Sequence, residues 1–92
     1  MEIKELLWDD WNEAHIERKG ISIQDVYEVC VNEQYPPLIE KSRRGTVAIW
    51  GRTSAGEYLL VILSPRGRGS FYPVTAREMQ DRERRRYQKW LK

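Results

Sequence analysis

The alternation of apolar and polar residues in the first part of the chain predicts a short strand followed by a short helix. Residues 3–8 have the composition of a strand, and residues 11–19 carry apolar side chains at helical spacing. Asp9 or Asp10 can supply the oxygen that caps the first turn of this helix. Gly20 then favours the left-handed conformation in which many helices end.

A second short helix is predicted directly after this turn. Ser22, with Asp25 three residues later, forms a short-armed capping box. The apolar residues from Ile23 to Val31 give this helix a broad apolar face. The pair Pro36 and Pro37 prevents the helix from continuing. Two short helices joined at a glycine form a hairpin that must cover an apolar surface.

The middle of the chain supplies that surface as a sheet. The predicted strands are residues 38–39, 46–53, 58–63 and 70–75. Residues 54–57 are predicted to be a hairpin connection, and residues 65–69 a loop. Pro73 has no amide hydrogen to donate, so its strand is expected at an edge of the sheet or with a bulge.

The last element predicted is a helix that reaches about Leu91. Thr75 and Glu78 have the T-x-x-E spacing of a capping box, which places its start there. Its apolar positions are few and are separated by arginines. We therefore expect this helix to pack loosely, or to contact a partner through its middle turns.

These elements predict an α+β fold in one domain, residues 1–92. An N-terminal strand and a two-helix hairpin would pack on a small antiparallel sheet of 4–5 strands, followed by a C-terminal helix. No apolar run is long enough to span a membrane, and the N-terminus lacks the features of a signal peptide. The lone Cys30 is expected to be a small core residue. A cytoplasmic location, without membrane association, is the expectation.

The charge is distributed unevenly along the chain. Residues 1–40 carry three cations and ten acids, a net charge of −7, whereas residues 41–92 carry thirteen cations and four acids, a net charge of +9. Ten of the eleven arginines lie after residue 42. Arginine pairs with phosphate in two-pronged geometry, so the excess favours an anionic partner such as nucleic acid over a merely solvated surface.

The candidate chemistry is acid–base and cationic. One histidine and one cysteine cannot form a typical metal site, and no glycine-rich phosphate loop is present, so neither a metal nor a cofactor is expected. RNA can be cleaved by a general base, a cation that stabilises the phosphorane, and an acid. Histidine is the residue that ordinarily titrates near neutral pH, so His15 is the candidate base or acid. Its alternative role is that of a structural histidine.

Other residues in this set have structural alternatives as well. Arg66 and Arg68 flank Gly67 in the predicted loop, where they could bind phosphate or simply form a solvated turn. Glu83 is expected to anchor Arg77 or Arg86 in an ion pair.

The order of these elements and motifs resembles the BrnT family of bacterial toxins over nearly the whole chain. The resemblance is carried by Trp8-Asp9 before the first helix, the Gly20 turn, Thr75-Ala76-Arg77, and Glu83-Arg84-Arg85-Arg86-Tyr87. It implies a RelE-like fold and a metal-independent endoribonuclease that cleaves RNA and inhibits translation. It also implies a cognate DNA-binding antitoxin encoded nearby, with which the toxin can form a heterotetramer.

The resemblance departs from the family at one position. Where the family typically has histidine before the glycine, this chain has Lys19, a residue that remains cationic at neutral pH. Acid–base work would then fall to His15, one turn earlier. The expected catalytic residues are His15, Lys19, Arg52 and Arg77. The expected RNA-binding residues are Arg66, Arg68, Tyr72, Arg85 and Tyr87. The alternative function is a non-catalytic nucleic-acid-binding module or a subunit of a regulatory complex.

Overall fold

The structure is a computed structural model that describes residues 2–92, with three helices and five strands. The strands are β1 (Glu5–Leu6), β2 (Leu38–Lys41), β3 (Val47–Arg52), β4 (Tyr58–Gly67) and β5 (Ser70–Glu78). The helices are α1 (Asp10–Glu17), α2 (Ile23–Val31) and α3 (Asp81–Leu91), and a short 3-10 turn covers Arg43–Gly45. The α+β class predicted from the sequence is therefore confirmed.

The five strands form one sheet in the order β1-β5-β4-β3-β2. The pairs β2–β3, β3–β4 and β4–β5 are antiparallel, whereas β1 runs parallel to β5. The sheet is therefore mixed, and the prediction of a wholly antiparallel sheet is wrong at this strand. The predicted strand over residues 3–8 is also too long, because only Glu5 and Leu6 pair, with Ser70 and Phe71.

Helix α1 is fixed to β5 by Asn12, a fully buried polar residue. Asp9 caps the helix by accepting from the Asn12 amide, and the Asn12 side chain accepts from the Asp9 amide in return. The Nδ2 atom of Asn12 donates to the carbonyl oxygens of Leu7 and Pro73, each at 3.0 Å. These bonds satisfy the buried amide and hold α1 at the edge of β5.

Helix α2 follows the pattern predicted from the sequence. Ser22 and Asp25 form the expected capping box, and Val26, Val29 and Cys30 are buried. Burial raises the pKa of the Cys30 thiol to about 12, so this cysteine remains a neutral thiol in the core. The prediction of a core cysteine is confirmed.

The core lies between these two helices and one face of the sheet. Alternate residues of β4, namely Leu59, Val61 and Leu63, are fully buried there, as the period-2 geometry of a strand requires. They pack with Ile16 of α1 and with the buried face of α2. The opposite face of the sheet carries the intervening side chains.

Strand β5 extends further than predicted and displaces the expected helix start. Ala76 is fully buried and pairs with Val61, so the ladder continues to Glu78 instead of stopping at Thr75. The capping box predicted for Thr75 and Glu78 is therefore wrong. The box at the start of α3 is formed by Gln80 and Glu83. Ladder hydrogen bonds and burial of Ala76 outweigh the local capping preference.

The connection between β4 and β5 is tighter than the predicted loop over residues 65–69. Strand β4 continues to Gly67, and Arg68 and Gly69 make the turn with positive φ angles of 56° and 84°. The bulge predicted for Pro73 is confirmed, because the register shifts where Ile62 pairs with Thr75 and the next residue, Leu63, pairs with Pro73.

Helix α3 has a thin apolar stripe, as expected. Tyr87 is its buried residue, whereas Trp90 is 45% exposed. In residues 2–92, no helix combines the length and the apolar character that a membrane crossing requires.

Candidate functional site

The face of the sheet turned away from α1 and α2 carries three of the nine predicted site residues, Arg52, Tyr72 and Arg77, together with Thr75, which two others contact. Side chains that pair across antiparallel strands point to the same side of the sheet. Thr75 pairs with Ile62, and Arg77 pairs with Leu60, so these four residues share one side. We call this side the open face. Its members on β3, β4 and β5 are Ala48, Trp50, Arg52, Tyr58, Leu60, Ile62, Ser64, Tyr72, Thr75 and Arg77.

Two predicted catalytic residues of the helical hairpin meet at this face. The Nε2 atom of His15 lies 3.2 Å from the Thr75 hydroxyl oxygen, and the Lys19 ammonium donates to the same oxygen at 2.9 Å. His15 is half-buried, and Lys19 is exposed. Sixty and fifty-six residues separate these side chains from Thr75 in the chain, so only the fold brings them together.

The local structure explains this convergence. Asn12 attaches α1 to the carbonyl of Pro73, so His15, one turn later, faces Thr75, two residues further along β5. The helix then closes with Gly20, whose amide donates to Glu17 and whose φ angle is +77°. This turn leaves Lys19 beside His15.

The shared hydroxyl defines which proton positions are available. An ammonium group can only donate, so the Thr75 oxygen accepts from Lys19 and its own hydrogen is free to point toward His15 Nε2. In the neutral tautomer protonated at Nδ1, Nε2 is then an acceptor. Through the Thr75 hydroxyl, the arrangement links an imidazole that can take or give a proton to a cation that can stabilise a developing negative charge.

Trp11 completes this group, although it was not among the candidate site residues from the sequence. Its ring lies parallel to the His15 ring, with centroids 5.1 Å apart and an interplanar angle of 7°, and the residue is 61% exposed. We call Trp11, His15, Lys19 and Thr75 the α1–β5 corner. The helical spacing of Trp11 and His15, four residues apart, was the signal that could have identified it.

Two predicted RNA-binding residues, Arg66 and Tyr72, form a neighbouring group with Asp9. The Tyr72 hydroxyl donates to both carboxylate oxygens of Asp9 at 3.0 Å, and the Arg66 guanidinium lies 4.7 Å from the centre of the Tyr72 ring. The amide of Asn12, the Tyr72 hydroxyl and Arg66 lower the pKa of Asp9. Burial and the Asp9 carboxylate raise the pKa of Tyr72, so Tyr72 remains a hydroxyl donor. Arg68 is exposed at the turn.

Arg77 lies on the open face but is held by α3. Its two terminal nitrogens donate to the two carboxylate oxygens of Glu83 at 2.8 and 2.9 Å, and Glu83 also accepts from the Gln80 amide. The Arg77 guanidinium lowers the pKa of Glu83 to about 2, and Glu83 raises the pKa of Arg77. The expected structural ion pair of Glu83 with Arg77 is confirmed.

Arg52 and Tyr87 belong to an aromatic cluster below α3. The Arg52 guanidinium lies 3.8 Å from the centre of the Tyr35 ring, and Tyr58 and Tyr87 meet edge to face at 6.1 Å. Tyr87 is 1% exposed, and its hydroxyl donates to the carbonyls of Tyr35 and Pro36. Tyr87 was expected to contact RNA, but its ring is enclosed in the fold, and its hydroxyl is already bonded to two backbone carbonyls. Arg52 is positioned by packing against the rings of Tyr35 and Tyr58.

Arg85 lies on the exposed side of α3, beside an open depression. The depression is lined by α3 and the residue that follows it, through Arg82, Arg85, Arg86, Gln88, Lys89 and Lys92. Arg86 is an exception among these cations, because both of its terminal nitrogens donate to Glu40 at 3.1 Å. The depression thus offers positive charge but no group with ordinary acid–base activity near neutral pH.

No arrangement of three or more His, Cys, Asp or Glu side chains suited to a metal ion occurs within residues 2–92. The comparison with protein-family models gives no match, and the search of curated proteins gives no significant match either. Function is therefore inferred from the residues and their geometry.

Proposed function

We propose that this protein is a metal-independent endoribonuclease, the toxin of a type II toxin–antitoxin system related to BrnT. The observation that carries the proposal is the convergence of His15 and Lys19 on the Thr75 hydroxyl, at 3.2 and 2.9 Å. An imidazole and an ammonium group at one exposed edge of a sheet supply the base and the cation for cleavage of RNA, and water supplies the acid.

The proposed RelE-like fold rests on the order of the elements and on the motifs they carry. A short strand, two helices, an antiparallel β2–β5 meander and a last helix follow one another in the expected order. The Thr75-Ala76-Arg77 motif lies on β5, and the Glu83-to-Tyr87 motif lies on α3. The N-terminal strand was predicted, but its parallel pairing with β5 was not; β1 lies at the outer edge of the sheet and pairs only with Ser70 and Phe71, away from Thr75.

Lys19, where the BrnT family typically has a histidine, is compatible with this function because the side chain of His15 reaches the same Thr75 hydroxyl. The two side chains share one hydroxyl partner, so an imidazole from the preceding turn lies beside the position occupied by Lys19. This proximity supports His15 as the acid–base residue and Lys19 as the cation.

In the proposed reaction, His15 removes the proton from a ribose 2′-hydroxyl. The 2′-oxygen then attacks the adjacent phosphorus, and Lys19 donates to a non-bridging oxygen as negative charge develops there. The bond from phosphorus to the 5′-oxygen breaks, and this oxygen takes a proton from water. The products are a 2′,3′-cyclic phosphate and a 5′-hydroxyl, and His15 returns its proton to solvent.

The flanking RNA is proposed to follow cations on either side of the corner. Arg66, stacked on Tyr72, and Arg68 lie on the β4–β5 hairpin, and Arg85 lies on α3. Exposed arginines hold phosphate by two-pronged hydrogen bonds and add affinity without reading sequence. Arg77 would contribute to this path only where phosphate competes with Glu83 for its guanidinium.

One observation favours a second candidate, a non-catalytic nucleic-acid-binding module. The depression beside α3 collects five cations and contains no acid–base group. A module of this kind would bind RNA with an affinity that falls steeply as salt concentration rises, and it would leave the strand intact.

Cleavage of total RNA by the purified protein in EDTA distinguishes the two candidates. Under the proposal, wild-type protein cleaves RNA and His15→Ala lowers the rate by about 10²- to 10⁴-fold, the usual contribution of a general base. Arg43→Ala is the matched control, because Arg43 is exposed in the 3-10 turn, and it should cleave at the wild-type rate. Intact RNA at high protein excess would exclude the nuclease and favour the binding module.

The proposed partner is tested in cells. Expression of the chain should arrest growth, and co-expression of a DNA-binding protein encoded in the neighbouring reading frame should relieve the arrest. The purified pair should then elute together, with a mass that tests the heterotetramer. Growth arrest that His15→Ala leaves unchanged would separate toxicity from RNA cleavage.

A further inference from the structure

The side chain of Trp11 is largely exposed, and packing within the domain does not explain why a tryptophan lies there. The residue is 61% exposed, and its stacking contact is with the half-buried ring of His15. Tryptophan is highly buried on average, and a large exposed aromatic surface commonly marks a binding site. Trp11 does not belong to the core cluster, so packing alone gives no reason for its position.

The residues around Trp11 form an aromatic and cationic stripe. Trp11, Ala14 and His15 share one side of α1, and Arg18 and Lys19 follow in the turn that ends the helix, where Lys19 shares the Thr75 hydroxyl with His15. The acids of this helix lie on other sides. At roughly 100° per residue, they are about 100° to 160° away from Trp11 around the helix axis. These acids are Asp10, Glu13 and Glu17.

We propose that Trp11 is the stacking platform for an unpaired nucleobase next to the scissile phosphate. The proposal rests on the proposed RNA cleavage and identifies its substrate as single-stranded RNA. One base lies against the Trp11 ring, and the phosphate joined to that nucleotide lies near His15 and Lys19. Base–aromatic stacking tolerates any base, so this subsite selects an unpaired nucleotide and not a sequence.

The dimensions of the stripe fit one nucleotide. The ring centroids of Trp11 and His15 are 5.1 Å apart, and side chains four residues apart on a helix are separated by about 6 Å. Because His15 covers one face of the Trp11 ring, the base lies against the other face, and the ribose and phosphate of the same nucleotide extend past the ring toward His15 and Lys19, which share the Thr75 hydroxyl. A base paired in a duplex cannot present its flat face in this way, because both of its faces are stacked on neighbouring bases.

The charge around Trp11 favours nucleic acid over a protein partner. Arg18 and Lys19 are exposed in the turn that directly follows the helix carrying Trp11. A protein partner for this stripe would need to supply acids to the two cations, whereas RNA supplies the phosphate and the aromatic base on one nucleotide.

The test measures binding of a short 5′-fluorescein-labelled single-stranded RNA whose riboses are all 2′-O-methylated, so that it cannot be cleaved. Trp11→Ala should raise the Kd by about 5- to 100-fold, the range that alanine substitution gives for one stacked base. Trp11→Phe should recover part of this loss. Trp90→Ala is the matched control, because Trp90 is 45% exposed on the basic helix α3, and it should leave the Kd within about twofold of wild type.

The salt dependence of binding separates stacking from charge. Trp11→Ala should leave the slope of log affinity against log salt unchanged, whereas Lys19→Met should reduce its magnitude by about 1. A single abasic nucleotide, moved along the same oligonucleotide, should weaken binding strongly at one position. In Trp11→Ala that penalty should disappear, because the base and the ring act as one pair.

Outcomes of these measurements are independent of cleavage. Wild-type affinity of Trp11→Ala, with the near-ultraviolet circular dichroism of a folded protein, would overturn the proposal and leave Trp11 as a contact for a protein partner. Equal abasic penalties in wild type and Trp11→Ala would overturn it as well. If Trp11→Ala is unfolded, Trp11→Phe is used in its place. An abasic nucleotide that weakens binding equally in wild type and in Trp11→Phe would then overturn the proposal. If the wild-type protein binds RNA in the base-dependent way described but does not cleave it, the proposed nuclease activity is overturned and the stacking proposal stands.

Discussion

The α1–β5 corner and the side of the sheet beneath α3 both contain cationic side chains, but these side chains have different hydrogen-bond partners. At the corner, the shared partner of His15 and Lys19 is the neutral hydroxyl of Thr75. Beneath α3, Arg77 and Arg86 each donate two hydrogen bonds to a carboxylate, from Glu83 and Glu40. The first group keeps its charge available to a ligand, whereas the second uses its charge to hold the fold together.

This difference changes the meaning of the arginine excess. The net charge of +9 over residues 41–92 counts every cation equally. Arg77 and Arg86 pair with acids in two-pronged geometry, Arg52 lies against the Tyr35 ring, and Arg84 lies 5.2 Å from the centre of the Tyr58 ring. Their contribution to a binding surface is smaller than their number, and the exposed cations that flank the corner matter more.

The largest effect is expected on stability, from removal of the buried Tyr87 side chain of α3. Tyr87→Ala should lower the free energy of unfolding by about 3–5 kcal/mol, as for other large aromatic residues removed from a core. The residue is 1% exposed and packs against Tyr58. Urea denaturation followed by circular dichroism measures this change.

Tyr87→Phe separates the ring from the hydroxyl. It keeps the packing and removes the bonds to the carbonyls of Tyr35 and Pro36, so the expected cost is about 1 kcal/mol. Its RNA affinity should equal that of wild type. A stable Tyr87→Ala protein with weakened RNA binding would contradict the assignment of Tyr87 to the core.

The fold could be predicted from the sequence where local and long-range preferences agree. Ser22 and Asp25 cap a helix whose apolar face is also required by the core, and this prediction was correct in detail. Thr75 and Glu78 have equally good capping chemistry, yet both lie in β5. The difference is Ala76, which is fully buried opposite Val61, a long-range contact that the local pattern does not contain.

The candidate site shows the same limit. Helical spacing placed Trp11 and His15 on one side of α1, but their meeting point with Thr75 required the position of α1 on β5. Tyr87 is one of the few apolar positions of α3, and the sequence alone did not show whether its ring packs in the core or contacts RNA. Its burial depends on Tyr35 and Pro36, which lie more than fifty residues earlier in the chain.

The next largest effect is expected at the corner. Thr75→Val keeps the shape of a β-branched side chain and removes the hydroxyl shared by His15 and Lys19. We expect the rate of RNA cleavage to fall by about 10- to 100-fold, because the acid–base group loses its orienting hydrogen bond. Initial rates on a labelled RNA measure this change. Thr75→Ser restores the hydroxyl and should cleave at close to the wild-type rate, and equal rates for Val and Ser would exclude the orienting role.

A smaller effect on stability is expected from the ion pair beneath α3. Glu83→Gln removes the two-pronged bond to Arg77 and weakens the cap at Gln80, so the free energy of unfolding at neutral pH should fall by about 1–2 kcal/mol. In a domain of this size, this corresponds to a decrease in Tm of roughly 4–16 °C. Glu78→Gln, a change at an exposed acid, is the matched control.

The pH dependence of this pair has a defined direction. The pKa of Glu83 is about 2 in the folded protein and lies below its ordinary value of 4.5. Its stabilising contribution is therefore complete above the ordinary value and is lost as pH falls from about 4.5 toward about 2. Wild type and Glu83→Gln should converge in stability over this range. A constant difference down to the acid limit would contradict the assigned cause.

The smallest effect distinguishes two neighbouring arginines of α3. Arg85 is exposed beside the depression, whereas Arg86 donates two bonds to Glu40 and lies 4.8 Å from the centre of the Trp50 ring. Arg85→Ala should weaken binding of the 2′-O-methylated RNA by about two- to fivefold and reduce the magnitude of the salt slope by about 1, with stability unchanged within about 0.5 kcal/mol. Arg86→Ala should change the slope less and lower stability more, because its charge is already paired. Fluorescence anisotropy at several salt concentrations and urea denaturation measure both quantities. Identical salt slopes for the two variants would mean that Glu40 does not withhold Arg86 from phosphate, and the contrast between the two sides of the molecule would then fail at this residue.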